Sequence, residues 1–161
     1  MTRMKTFNLF EPTFEYDPED PDGYHAGMDR FGPKIGAMRM GASIYELPPG
    51  QALCPYHFES EEEWVIALEG KPSVRHPGGT DVLAPGDVVA FPIGPEGAHK
   101  VFNATEETVR FMMLSTKERA GDPFYAVYPD SNKIQFGNGR ERVLTRLGEN
   151  LEYYDGEGDP R

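Results

Sequence analysis

Two histidines and a run of glutamates have the residue types and spacing that could form a metal site. The stretch "PYHFESEEEWVIALEG" places His57 ahead of Glu59 and Glu63. A later stretch, "GPEGAHKVFN", contains His99. Imidazole nitrogens and carboxylate oxygens are common protein ligands of divalent transition metals. The same pattern also admits a second interpretation, in which the acidic run is a solvated bend that leads into a core strand.

The composition indicates which elements must position these residues. The chain has 161 residues, which is the usual size of one domain. Hydrophobic residues make up 38% and charged residues 27%, so the chain is globular rather than disordered. Its 18 glycines and 15 prolines require many turns, which is typical of sheet proteins rather than helical bundles.

Short apolar runs that end at Pro or Gly turn signals predict an all-β sandwich or barrel. Such runs occupy residues 37–47, 64–70, 73–76, 81–83, 87–91, 99–103 and 108–116. The stretch "ERVLTRLGENL", residues 141–151, is the best helix candidate, although it could equally be extended. The aromatic residues within the acidic segment 11–23 need cover, so we expect an ordered N-terminal arm that lies across the domain.

Charge and cysteine content restrict the partners and the compartment. The net charge of −11 disfavours binding to nucleic acids and to anionic membranes, and Lys and Arg do not cluster. The single cysteine, Cys54, rules out an intrachain disulfide, as expected in a reducing cytoplasm. No apolar run is typical of a signal peptide or a membrane span. The sequence therefore predicts a cytoplasmic protein with no nucleic-acid or membrane partner.

Strand geometry limits which candidate side chains can meet. Residues two apart in a strand share a face, so His57 and Glu59 point the same way. Glu63 follows a bend, so counting alternate residues from His57 does not show which face it is on. A tight bend would make the strands before and after it antiparallel neighbours, and the side chains of His57, Glu59 and Glu63 could then converge. Cys54 lies three residues before His57, so we expect it to face the other way and to be buried and inert.

The two segments resemble the two sequence motifs of the cupin superfamily. The first motif reads Gly, five residues, His-x-His, three residues, Glu, six residues, Gly. This chain matches it, with a slightly longer first gap and with Glu in place of the second His, at Gly50, His57, Glu59, Glu63 and Gly70. The second motif reads Gly, five residues, Pro-x-Gly, two residues, His, three residues, Asn. Its counterparts, with a turn two residues longer, are Gly86, Pro92, Gly94, His99 and Asn103.

The resemblance implies a double-stranded β-helix, which is a jelly-roll barrel, with N- and C-terminal extensions. Residues 1–34 would be an N-terminal arm packed on the barrel, residues 35–116 the barrel core and residues 117–161 a C-terminal extension. Cupins of this size are often homodimers, so the resemblance also implies a homodimer. A small-molecule ligand would bind inside the barrel.

The resemblance also implies one divalent metal ion held inside the barrel. Residue by residue, it assigns His57, Glu63 and His99 as ligands. Glu59 departs from the pattern and has two interpretations. As a fourth ligand it would give two imidazoles and two carboxylates, which favours Fe²⁺, Mn²⁺ or Zn²⁺, admits Ni²⁺ or Co²⁺ and disfavours Cu(I). As a non-ligand it would be a catalytic general base beside the two-histidine, one-carboxylate set of non-haem Fe(II) oxygenases.

Two classes of function follow from this resemblance. The first is a metal-dependent enzyme that acts on a small organic molecule as a dioxygenase, an isomerase or a decarboxylase. The alternative is a non-catalytic cupin that binds a sugar or an organic acid. The scaffold hosts unrelated activities, so the fold does not choose between them. Carboxylates placed beside histidines in an interior are costly unless they are used, and this favours the enzyme.

Overall fold

The computed structural model describes residues 3–117, 123–137, 142–148 and 150–156. Across these residues the regular structure is β-strand with three short 3₁₀ turns, and no α-helix is present. None of the helical turns in these ranges has the length and hydropathy that would carry it across a bilayer. The strands, numbered in chain order, are β1 Gly27–Asp29, β2 Met40–Leu47, β3 Phe58–Glu59, β4 Glu63–Glu69, β5 Ser73–His76, β6 Gly79–Val82, β7 Val88–Phe91, β8 Lys100–Phe102, β9 Val109–Thr116, β10 Tyr125–Tyr128, β11 Lys133–Phe136 and β12 Val143–Arg146.

The strands form three antiparallel sheets. The largest has the order β1-β2-β9-β4-β7, a second has the order β12-β11-β10-β3, and a third has the order β6-β5-β8. Neighbours such as β2 and β9, or β4 and β9, are distant in sequence, which is the crossed connectivity of a jelly roll rather than a meander. The predicted all-β jelly-roll barrel is therefore confirmed.

The main core lies between the five-stranded and the three-stranded sheets. On the central strands β4 and β9, alternate residues face this core, and Val65, Ala67 and Phe111 are completely buried. The three-stranded sheet contributes Val74 and Val101 from the opposite side. The inner face of the large sheet is therefore apolar along most of its length, and the polar Glu63 lies at its end.

The outer face of the large sheet is also covered, as its apolar residues predict. Met112 and Leu114 of β9 pack with Ile44 of β2 in a second cluster. Side chains from the N-terminal segment complete this cluster, and they are Phe7, Leu9, Phe14 and Phe31. Trp64 differs, because 43% of its surface remains exposed. The N-terminal segment, rather than a partner chain, thus accounts for most of the second apolar face.

Polar contacts fix the N-terminal segment to the sheet. The backbone N–H of Thr13 donates to Asp29 Oδ2 at 2.8 Å, and the Lys34 ammonium pairs with the other oxygen of the same carboxylate. Glu15 and Met28 exchange backbone hydrogen bonds at 3.0 and 2.9 Å. The division of the chain at residues 34 and 116 stays a prediction.

Two local expectations are resolved by the sheets. Within residues 141–151, the part from Val143 to Arg146 is strand β12, so the extended alternative is correct there, while Glu141 and Glu149 lie outside the described residues. The expectation that a tight bend makes the strands before and after it antiparallel neighbours is wrong. β3 pairs with β10, whereas β4 pairs with β7 and β9, so the bend carries the chain from one sheet to another.

Candidate metal centre

His57 and His99 lie opposite each other in an isolated antiparallel bridge. The His57 N–H donates to the His99 carbonyl at 3.1 Å, and the His99 N–H donates to the His57 carbonyl at 2.8 Å. Directly opposed residues of an antiparallel pair project to the same side. The two imidazole centroids are accordingly 4.9 Å apart, inside the barrel.

Backbone carbonyls orient both imidazole rings. His57 Nδ1 lies 3.0 Å from the Pro55 carbonyl oxygen, and His99 Nδ1 lies 2.9 Å from the Gly97 carbonyl oxygen. A carbonyl oxygen only accepts hydrogen bonds, so each Nδ1 carries the proton and donates it. The Nε2 lone pair of each ring is then available to a ligand, which is the arrangement that supports metal-binding histidines.

Glu63 reaches these histidines from the facing sheet. It is the first residue of β4, and its register partners are Ser115 on β9 and Phe91 on β7. Its Oε2 lies 3.3 Å from His99 Nε2 and 3.9 Å from His57 Nε2. One ligand atom from each of the three residues lies within 4.8 Å of the others. The fold thus brings together two histidines and one carboxylate from opposite walls of the barrel.

The chemistry of this cluster fits a cation. His99 Nε2 and Glu63 Oε2 are both buried, and neither has a hydrogen-bond partner among the described residues. Both atoms are acceptors when Nδ1 of His99 carries its proton, and acceptors 3.3 Å apart repel each other. Unpartnered buried polar atoms are costly. A cation between the two atoms would remove this cost, so the residues present suit a divalent metal ion.

The electrostatic environment keeps His57 in the form that a metal requires. Burial lowers the pKa of His57, and the nearby His99 lowers it further. Glu63 and the hydrogen bond to Pro55 oppose this shift without reversing it. A lowered pKa means that the imidazole is neutral at pH 7, and only the neutral ring offers a lone pair.

Glu59 lies at the edge of the cluster. Its Oε2 is 3.8 Å from His57 Nε2, and only 14% of its side chain is exposed. It does not belong to the group of mutually close ligand atoms that His57, Glu63 and His99 form. This arrangement has the composition of a two-histidine, one-carboxylate set with a second carboxylate beside it. Whether Glu59 is a ligand or a base stays a prediction.

Two aromatic residues that sequence reasoning did not place at the site pack on the histidines. The Phe91 ring stacks on His99 with centroids 3.7 Å apart and planes 8° apart. The Tyr128 ring stacks on His57 at 5.8 Å, and burial, followed by Cys54 and Glu59, raises the pKa of its hydroxyl. The position of Phe91 in the strand that flanks Glu63 could have indicated its role. No local sequence pattern marks Tyr128, because it lies in the C-terminal extension, beyond both motifs.

The expected orientation of Cys54 is wrong. Its Sγ lies 3.6 Å from His57 Nδ1, and it lines the same cavity as His57. Side chains alternate in a regular strand, but here Ala52 and His57 make only isolated bridges, so the side chains between them do not alternate strictly. Burial raises the pKa of the Cys54 thiol, and Glu63 and Glu59 raise it further, so the group remains a neutral thiol.

A cavity of about 430 Å³ adjoins the cluster. His57 and Cys54 line it from one side, and Glu63, Tyr45 and Met113 line it from the five-stranded sheet. Three acidic residues of the N-terminal segment also line this cavity, namely Glu15, Asp17 and Asp20. The cavity has space for a small organic molecule beside the candidate ligands.

Asn103 of the second motif and the other two histidines of the chain have structural partners elsewhere. Asn103 donates from Nδ2 to the carbonyls of Leu47 and Glu107, and its Oδ1 accepts from Thr105, so it holds a turn. His76 pairs with an aspartate across the β5–β6 hairpin, and His25 pairs with an aspartate in the N-terminal segment. The predicted candidates that converge are therefore His57, Glu63 and His99, with Glu59 alongside.

Residues 43–115 match the family model described as Cupin domain. This range contains both histidines and both glutamates of the site. No curated protein is significantly similar to the chain.

Solved structures share the fold. A protein from Acidithiobacillus ferrooxidans, provisionally called a sugar phosphate isomerase, is 24% identical and superposes with a TM-score of 0.80 over 94% of this chain and 100% of its own. A sugar phosphate isomerase of the cupin superfamily from Silicibacter pomeroyi is 23% identical, with a TM-score of 0.76 over 92% and 97% of the two chains. The polyketide cyclase RemF of Streptomyces resistomycificus is 25% identical, with a TM-score of 0.60 over 73% and 82%.

Proposed function

We propose that the protein is a divalent-metal-dependent enzyme acting on a small organic molecule inside the barrel, and the match of residues 43–115 to the cupin-domain model supports this proposal. One observation carries the proposal. His99 Nε2 and Glu63 Oε2 are buried acceptors 3.3 Å apart, and neither has a hydrogen-bond partner among the described residues. A site built only for packing would not hold two such atoms against each other.

His57, Glu63 and His99 are the proposed ligands. Two imidazoles and a carboxylate suit Fe²⁺, Mn²⁺ or Zn²⁺, and also admit Ni²⁺ or Co²⁺. A divalent cation bound there would supply Lewis-acid polarisation of a substrate oxygen atom. The aromatic rings of Phe91 and Tyr128 lie against the two histidines. Stacking of these rings restricts rotation of the two imidazoles.

The reaction type that these residues support best is an isomerisation by proton transfer. Glu59 lies beside His57 and is the proposed base. Its carboxylate would take a proton from the hydroxyl-bearing carbon next to a substrate carbonyl and return it to the carbonyl carbon, while the hydroxyl proton moves to the former carbonyl oxygen. The carbonyl and hydroxyl groups then exchange places, so no oxidant or reductant is consumed. Of the two structures that superpose over more than nine-tenths of this chain, one is called a sugar phosphate isomerase and the other is provisionally called one, which supports this choice.

Deuterium exchange tests the proposal. Metal-loaded protein is incubated in D₂O with a panel of aldoses and ketoses, with and without a phosphate group, and NMR follows the replacement of the C–H beside the carbonyl. Wild type should catalyse exchange on at least one member of the panel. Glu59→Gln should lose exchange while retaining metal. Glu61→Gln is the matched control, because Glu61 lies on the same bend, and its contact with the Thr116 hydroxyl needs only an acceptor oxygen.

The outcomes separate the alternatives. Loss of metal in Glu59→Gln would make Glu59 a ligand rather than a base. Saturable binding of a panel member with no exchange and no product would contradict the enzyme and favour a non-catalytic binding cupin. Consumption of O₂ or release of CO₂ with a metal-loaded sample would instead indicate a dioxygenase or a decarboxylase.

We further propose that the protein is a cytoplasmic homodimer. Exposed apolar side chains on neighbouring strands support the dimer, because Trp64 of β4 is 43% exposed and Val88 of the edge strand β7 is 53% exposed. Light scattering coupled to size exclusion should give twice the chain mass, and Val88→Lys should shift the protein towards the monomer. A wild-type monomer at all concentrations would contradict the dimer.

A further inference from the structure

A second cavity, of about 260 Å³, is bordered by Glu63 of the candidate metal centre but by neither of its histidines. It shares Tyr45, Glu63 and Met113 with the first cavity, so the two cavities adjoin each other along these residues. The proposed function uses the cluster and the first cavity but assigns no role to the second. A ligand that contacts the cluster can therefore extend in either direction.

The second cavity is lined by two cationic residues, Arg30 and Lys117. Neither forms an ion pair within the part of the chain that the structure describes. The aspartate next to Arg30, Asp29, is already held by Lys34 and by the backbone of the N-terminal segment. Acidic residues outnumber basic ones in this chain, 27 to 16, yet these two cations have no ion-pair partner among the described residues. They are therefore available to bind an anion in the cavity.

Hydroxyl groups complete this lining. Ser43 and Ser115 lie on the inner face of the large sheet, because Ser43 is paired with Met113 and Ser115 is paired with Glu63. Tyr45 also lines this cavity and contributes a third hydroxyl group. A guanidinium, an ammonium and hydroxyl donors are the groups that bind phosphate and carboxylate oxygens.

The two cavities have opposite charge. The first carries Glu15, Asp17 and Asp20 on the N-terminal segment, whereas the second carries Arg30 and Lys117. An anionic group would be repelled from the first cavity and attracted to the second. The charge difference therefore sets the direction in which an anionic ligand lies across the cluster.

We infer that the second cavity is an anion subsite, in which Arg30 and Lys117 hold the phosphate or carboxylate group of a small substrate while its oxygen-bearing carbons reach His57, Glu63 and His99. The contact of the substrate with His57, Glu63 and His99 rests on the proposed function. The anion subsite itself does not, because Arg30 and Lys117 are separate from the proposed metal ligands, although Glu63 borders both sites. The substrate class is therefore a small molecule with an anionic group at one end.

Anion titrations monitored by NMR test the subsite on chelator-treated full-length protein. Inorganic phosphate and acetate are titrated separately, and the amide shifts of Ser43 and Ser115 give the dissociation constants. Arg30→Gln and Lys117→Gln should each weaken the binding of the preferred anion by roughly tenfold, as expected for a charge-assisted hydrogen bond. Lys71→Gln is the matched control, because Lys71 is an exposed lysine outside the linings of both cavities and should stay close to wild type.

The outcomes distinguish a phosphate ligand from a carboxylate ligand, and they test the anion subsite separately from the proposed function. Tighter binding of phosphate would indicate a phosphate ester, and tighter binding of acetate would indicate a carboxylic acid. Binding unchanged in the Arg30→Gln, Lys117→Gln double variant, or no amide shift at Ser43 and Ser115, would overturn the subsite. Metal uptake is measured separately, on wild type incubated with excess Mn²⁺ and then desalted. A wild type that takes up no metal but binds phosphate through Arg30 would sink the proposed function and keep the subsite.

Discussion

His57 and His99 face each other across an isolated β-bridge, and each ring donates its Nδ1 proton to the carbonyl two residues earlier in its own segment, Pro55 and Gly97. The same local geometry therefore occurs twice, on segments more than forty residues apart. It leaves both Nε2 atoms directed towards Glu63, at 3.9 and 3.3 Å from its Oε2. This paired orientation is the structural basis of the proposed metal site.

The effect of Glu63→Gln on stability should change sign with metal. In chelator, the amide nitrogen of the glutamine can donate to His99 Nε2, which replaces two opposed acceptors by a hydrogen bond. We expect the variant to unfold at a higher temperature than wild type, by about 1 kcal/mol in free energy. With excess Mn²⁺, wild type should become the more stable protein, because it alone binds the ion tightly.

Thermal unfolding of both proteins under both conditions measures this crossing. Glu62→Gln is a suitable control, because Glu62 contacts the exposed Trp64 indole rather than the cluster. A Glu63→Gln protein that is stabilised by Mn²⁺ as strongly as wild type would show that the carboxylate does not hold the ion.

Gly97→Ala should weaken metal binding without touching a ligand. A Cβ at this position would lie 1.7 Å from the Pro92 carbonyl oxygen, so the turn must shift. The Gly97 carbonyl accepts the proton of His99 Nδ1, and its displacement would turn the imidazole away from Glu63. We expect the affinity for Mn²⁺, measured by calorimetry, to fall by about 10- to 100-fold.

The matched control for this change is Gly148→Ala, where an added Cβ meets nothing within 4 Å. Its affinity for Mn²⁺ should equal that of wild type. A Gly97→Ala protein that also binds Mn²⁺ like wild type would mean that the backbone hydrogen bond does not orient His99.

Asp29→Asn should loosen the N-terminal segment in a pH-dependent way. Burial alone would raise the pKa of Asp29, but hydrogen bonds from Lys34 and from the Thr13 N–H lower it below its ordinary value. A lowered pKa in the folded state contributes stability that is present above about pH 4 and is lost as the pH falls through the folded pKa. The variant should therefore lose about 1–2 kcal/mol at pH 7.

Urea unfolding at pH 7 and at pH 3 measures this difference, with Asp155→Asn as an exposed control. The gap between wild type and Asp29→Asn should narrow at the lower pH, where the wild-type carboxylate becomes protonated. A difference in free energy of unfolding that is the same at both pH values would show that the charge of Asp29 does not account for it.

The sequence was sufficient for the all-β barrel but not for which of its strands pair. The runs 73–76 and 108–116 coincide closely with β5 and β9, because short β-branched runs bounded by Gly and Pro have few other folds. The convergence of His57 and His99 followed from the resemblance rather than from local spacing. Spacing alone left open the interpretation that the acidic run is a solvated bend, because spacing does not show which sheet the chain enters after the bend.

Other features depend on tertiary structure that local patterns do not encode. Cys54 faces the cavity because the segment before His57 makes isolated bridges instead of a ladder. Tyr128 reaches His57 because the segment after the barrel returns to pair with the two-residue strand β3. The cations of the second cavity meet only when β1 and the end of β9 are placed on opposite sides of β2.

Metal content per chain tests the central claim most directly. Protein purified without chelator and loaded with Mn²⁺, Fe²⁺ or Zn²⁺ is analysed by mass spectrometry of the metals, for wild type, His57→Ala, His99→Ala and His76→Ala, with near-ultraviolet circular dichroism to verify folding. Wild type and the surface control His76→Ala should hold about one ion per chain, while folded His57→Ala and His99→Ala should hold almost none. A folded His99→Ala protein that keeps its ion, or a wild type that binds none, would contradict the metal site.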